Sequence, residues 1–86
     1  MRTIWKFPLE VTDTQTVEIP RGYRFLHLGL SDGHICLWCE VVTESPKVKR
    51  TFWIFGTGRP IPDHLHLAYK GTVPTGSFVW HVFEEF

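Results

Sequence analysis

The sequence predicts an all-β fold, a small antiparallel sandwich or open barrel of six to seven short strands, and three observations carry that expectation. Valine, isoleucine and threonine supply 22 of the 86 residues and aromatics another 13, whereas alanine and glutamine occur once each. Branched and aromatic side chains lose rotamer freedom in helices and fit a pleated surface. No long stretch keeps a helical apolar period, while alternation with period two recurs between Gly, Pro, Asp and Ser breaks. A second core would leave each half of residues 1–86 too small to fold unaided, so one domain is expected.

Each strand has its own signature. Thr3–Leu9 is apolar-rich and ends beside Pro8, which cannot donate to a ladder and suits an edge strand exposed on one side. Thr16–Ile19 is closed by Pro20-Arg21-Gly22, where Pro20 fixes φ and Gly22 accepts a positive one. Arg24–Ser31 sets Leu26, Leu28 and Leu30 on one face, the expected core side, against Phe25, His27 and Gly29. Asp32-Gly33 is the strongest hairpin signal, since the pair takes the two positive φ values of a type I′ turn. His34–Thr43 then returns with Ile35, Leu37, Cys39 and Val41 sharing a face. Lys49–Phe55 opposes Phe52 and Ile54 to Thr51, Trp53 and Phe55 before the Gly56–Pro60 break. Pro62–Leu67 is the one place for a short helical turn. Ala68–Val73 and Phe78–Glu84 make the last pair across Pro74-Thr75-Gly76.

Several of these strands are bulky and apolar on both faces, as in Phe52–Phe55 and Phe78–Phe83. A small domain has one inner face, so the second asks for a partner subunit or a ligand, and a two-fold homo-oligomer is expected. Lys+Arg and Asp+Glu number 9 each, leaving no net field for general duplex nucleic-acid binding. No apolar run is long enough for a membrane helix and no signal-peptide pattern opens the chain, so it reads as cytoplasmic with reduced cysteines.

Metal chemistry is suggested by His34, Cys36, Cys39, His64, His66 and His81. It fails on spacing, because Cys36 and Cys39 point to opposite faces of one strand, and buried small hydrophobes describe them better. A redox pair of this spacing draws its low thiol pKa from a helix N-terminus, absent mid-strand. Ser31, Ser45 and Ser77 lie in turns without a nucleophile elbow, and Glu84-Glu85 diverge, so no catalytic residue, metal or cofactor is assigned. Gly56-Thr57-Gly58-Arg59 is the better candidate: glycines admit an anion to the backbone, and a hydroxyl and a guanidinium donate. The plain alternative is a tight turn needing positive φ twice. Trp5, Trp38, Trp53 and Trp80 pack a core by default, yet Lys6, Lys49, Arg50 and His81 beside them describe a nucleotide-shaped pocket if indole and cation meet across strands.

Trp5-Lys6-Phe7-Pro8-Leu9, Ile19-Pro20-Arg21-Gly22, Phe52–Gly58, Lys70-Gly71-Thr72-Val73 and Trp80–Glu84 together resemble a widespread family of small phage and prophage proteins. Through it the chain is similar to phage immune-evasion sponges, oligomers that capture nucleotide second messengers of bacterial defence without cleaving them. The resemblance marks Trp5, Lys6, Gly56, Thr57, Gly58, Gly71, Thr72, Trp80 and His81 as motif positions. The expected ligand set is Trp5, Lys6, Trp53, Gly56, Thr57, Gly58, Arg59, Thr72, Trp80 and His81, around a cyclic-nucleotide-type signal. The expected function is sequestration of that signal in the infected host. A module that blocks a host protein through an exposed aromatic face is the rival, and a hydrolase acting on the signal a third option.

Overall fold

A computed structural model of the chain covers all 86 residues. It contains seven strands and no helix: β1 Arg2–Leu9, β2 Thr14–Pro20, β3 Arg24–Ser31, β4 His34–Val42, β5 Lys47–Gly56, β6 Leu67–Thr75 and β7 Phe78–Glu85. They form a three-stranded sheet in the order β1-β4-β3 and a four-stranded sheet in the order β2-β5-β7-β6, with every pairing antiparallel. The two sheets face each other as a thin sandwich, with β2 and β3 crossing between them through the Pro20–Tyr23 turn.

The turns follow the residues that build them. Asp32 and Gly33 both take positive φ, 51° and 77°, as the type I′ hairpin requires. The Pro20 carbonyl accepts from the Tyr23 amide at 3.2 Å, with Gly22 at φ 80°. Ile35, Leu37, Cys39 and Val41 of β4 all lie in the core with Phe52 and Ile54 of β5 and Val82 of β7, so the face groupings of β4 and β5 hold. Only 14 of the 86 residues are buried, so much of the apolar surface packs at the margin of this core. Ile4, Phe78 and Tyr69 are 57%, 63% and 60% exposed, and none of the four indoles is fully buried.

Three expectations change. In β3 a bulge falls between Phe25 and His27, so Leu26 leaves the alternation and becomes 40% exposed. Phe25 and Leu28 then share the inner face, and Leu30 is 48% exposed near the strand end. Pro62–Leu67 is not helical; a single hydrogen bond from the Leu65 amide to the Pro62 carbonyl, 3.3 Å, marks an isolated turn. It belongs to a longer connection, since β5 and β6 run parallel on either side of β7, and residues 57–66 must cross the sheet to join them. Finally Gly56 ends β5 without a positive φ, so the Gly-Thr-Gly loop needs that conformation once, at Gly58 (90°).

Candidate functional site

The crossover loop leaves β5 at the open end of the sandwich and shapes a hollow of about 480 Å³ there. Its wall is formed by Ile54, Gly56, Thr57 and Arg59 on one side, Phe78 and Trp80 at the start of β7, and Val11, Thr12 and Asp13 of the β1–β2 loop. Alternation explains the grouping. Ile54 and Gly56 face inward on β5, Gly56 pairs with Trp80, and the ring of Trp80 lies against the position where Gly56 has no Cβ, 3.5 Å away. A Cβ at Gly56 would just touch the indole that walls the hollow, and a branched side chain there would press on it. Trp80 is held by donation from Nε1 to Thr75 Oγ1 (2.8 Å) and stacks on Phe78, with centroids 5.5 Å apart and planes 18° apart.

The charge of Arg59 is already engaged. Its Nη1 donates to Asp13 Oδ1 at 2.7 Å and to the Ile54 carbonyl at 3.4 Å, and its guanidinium lies 5.3 Å from the centre of the Phe55 ring. Phe55 points to the outer face, yet is 2% exposed because Arg59 and Trp53 cover it. A ligand anion at this rim would therefore compete with a carboxylate.

Thr57 links the hollow to the outer face of the four-stranded sheet. Its hydroxyl lies 2.7 Å from His81 Nε2, and His81 Nδ1 lies 2.9 Å from Thr72 Oγ1, which in turn bonds the Tyr69 hydroxyl. The imidazole is thus fixed between two threonines, and no carboxylate forms an ion pair with it.

Of the ten sequence-predicted residues, Gly56, Thr57, Arg59 and Trp80 line the hollow, with Gly58 in the same loop, and His81 and Thr72 join it through Thr57. Trp5, Lys6 and Trp53 do not line it. Trp5 faces the core of the three-stranded sheet, edge-on to Phe7, and Lys6 on the opposite face donates to Ser31 Oγ at 3.1 Å. Trp53 lies on the outer face, stacked on Phe55, and donates to Glu85 Oε1 at 2.7 Å. The expected meeting of cations with indoles is replaced by contacts with phenylalanines: Arg59 over Phe55, and Lys70 over Phe25 at 4.9 Å. Arg50 cannot reach Trp53, because alternation turns it inward.

That inward turn creates a charged clasp missed in the sequence. Glu84, 5% exposed, accepts from Arg50 Nε at 2.7 Å and from the Tyr23 hydroxyl, and pairs with Lys70 at 3.5 Å. Burial, then the Glu84 bond, hold the Tyr23 phenol well above its usual range. Burial pushes the Cys39 thiol up to about 11, with Glu84 adding to it. The Glu84 bond raises Arg50 in turn. Lys70 reaches the clasp because a second bulge, between Tyr69 and Gly71, breaks the β6 alternation. An inward acidic residue on the strand beside an inward arginine was the available signal, and Gly71 was the signal for the bulge.

No curated protein and no solved structure matches the chain. A family model matches residues 1–86, the whole of the sequence. The chain therefore belongs to the family described as domain of unknown function DUF7352.

Proposed function

We propose that this protein binds a small planar anion of the nucleotide class in the open-end hollow and holds it unchanged. The observation that carries the reading is the convergence of Gly56, Thr57 and Arg59 with the stacked Phe78–Trp80 pair around one cavity. Small-molecule sites typically occupy roughly 300–1,000 Å³, and an aromatic wall with a few donors suits a base and its phosphate. The 63% exposed Phe78 ring can stack on a base, and Arg59 offers a planar fork to a phosphate once Asp13 is displaced. With the resemblance to phage proteins, the reading extends to capture of a bacterial defence signal in the infected cell.

A second reading has one observation in its favour: the Thr57 hydroxyl lies 2.7 Å from an imidazole nitrogen at the rim, the geometry of a hydroxyl nucleophile and its base. Against it, both His81 nitrogens end on hydroxyls, so no carboxylate stabilises an imidazolium. One experiment separates the two. The protein is incubated with cyclic di- and trinucleotides and ADP-ribose derivatives, its melting followed, then heated and the released compound weighed by mass spectrometry. Stabilisation with intact release, weakened in Phe78→Ala and Arg59→Ala, supports binding; an altered mass supports chemistry. No stabilisation by any compound sinks both. Co-purification of one host protein, lost in Tyr69→Ala, would then move the function to protein docking through the exposed aromatic face.

A further inference from the structure

The two long sides of the sandwich are finished differently. At the β3/β6 side the strands approach closely: a Cβ on Gly71 would lie 2.9 Å from Leu28 Cδ2, and Lys70 reaches across to the Phe25 ring. At the opposite side β1 and β2 are both free sheet edges. There Trp5, Phe7 and Val17 pack on the core yet remain only half-buried, so an apolar margin is open along the whole side. Unpaired edges of this length are usually blocked or paired.

We propose that this side is a two-fold interface in which β1 of one copy pairs antiparallel with β2 of a second copy, Lys6 opposite Glu18. Charge selects this pairing over the two like-with-like alternatives. β1 carries Arg2 and Lys6 and no acid, whereas β2 carries Glu18 and no base, so β1 on β1 or β2 on β2 would juxtapose like charges. Neither Lys6 nor Glu18 has an ion pair within the chain. The pleat restricts the register further, because inward residues of one strand must continue the inward face of the next. With Lys6 opposite Glu18, both on outer faces, Phe7 falls opposite Val17 and Trp5 opposite Ile19, which joins the half-buried margin of one copy to that of the other.

A two-fold axis parallel to the strands makes this contact twice, each three-stranded sheet continuing into the four-stranded sheet of the second copy. Pro8, unable to donate, ends the ladder beside the β1–β2 loop. The same axis brings both β1–β2 loops, each part of a hollow's wall, to one end of the dimer.

Sedimentation equilibrium across micromolar concentrations tests the interface. The native protein is expected to dimerise, more weakly in high salt. Lys6→Glu and Glu18→Lys should each raise the dissociation constant roughly tenfold or more, since two attractive pairs become two repulsive ones. The double variant should restore dimerisation, with circular dichroism unchanged throughout because both side chains are exposed. A monomer at every concentration overturns the proposal, as does a dimer indifferent to both single reversals.

Discussion

Replacing Glu84 with glutamine tests whether the interior clasp holds the sheets together. The substitution keeps the volume but removes the single negative charge shared by Arg50, Lys70 and the Tyr23 hydroxyl. Removing one partner of a fully buried ion pair costs about 3–5 kcal/mol, because the survivor is stranded without its counterion. Here Arg50 and Lys70 keep 34% and 18% of their side-chain surface, so water recovers part of that loss. About 2 kcal/mol is then expected, a fall in Tm of roughly 8–16 °C for a domain of this size. Lys70→Met should cost less than about 1 kcal/mol, since Glu84 would keep its shorter bond to Arg50. Urea unfolding followed by tryptophan fluorescence reads both. A Glu84→Gln variant within about 0.5 kcal/mol of the native protein would refute the reasoning, since that is the ordinary scatter of surface changes.

Three further outcomes follow from the same geometry. Cys39 ionises only near pH 11 in the folded chain but near 9 when unfolded, so its contribution is intact below pH 9 and lost as pH rises through 11. Between those limits stability should fall by about 1.4 kcal/mol per pH unit from this group, a slope that Cys39→Val removes in urea titrations at pH 8–11. Gly71→Ala should cost about 1–3 kcal/mol by pressing on Leu28, and calorimetry of Gly71→Ala with Leu28→Ala should show a loss smaller than the sum. Asp13→Asn frees Arg59 from its ion pair, so whichever nucleotide stabilises the native protein should bind about threefold to tenfold tighter by calorimetric titration; equal or weaker binding would remove Arg59 from the ligand's contacts.

Strand identity was legible wherever a run of period two stood between two strong breaks. The residues grouped on one face of β4 and of β5 do share a face, the inward one, because Ile35–Val41 and Phe52–Ile54 have no irregularity to shift them. β3 was misread in its facing because it carries a bulge that nothing in Phe25-Leu26-His27 announces, whereas no facing was read for β6, whose bulge Gly71 does announce. The Gly-Thr-Gly-Arg segment was recognisable as a candidate loop, but its neighbours were not, because they depend on which strand lies beside β5. The pocket read around the tryptophans required Lys6, Arg50 or His81 to meet an indole across strands, and no such meeting forms. Alternation sends Arg50 and Trp53, and likewise His81 and Trp80, to opposite sides of the sheet.

The two bulges also explain why the hollow lies where it does. By turning Phe25 and Lys70 inward, they bring β3 against β6 and add a ring and an ammonium to the Arg50 guanidinium that alternation already places beside Glu84. At the other end of β5 and β7 the inward positions are Ile54, Gly56 and Trp80, and the missing Cβ at Gly56 lets the Trp80 ring lie against the strand and wall the hollow. Charge is therefore locked at the closed part of the sandwich and an aromatic recess left at the open end. Enlarging Gly56 should distinguish these roles: Gly56→Val would crowd Trp80 and reduce nucleotide binding while leaving the clasp intact. Equal loss of binding and of global stability would instead mean that the recess is part of the folding core.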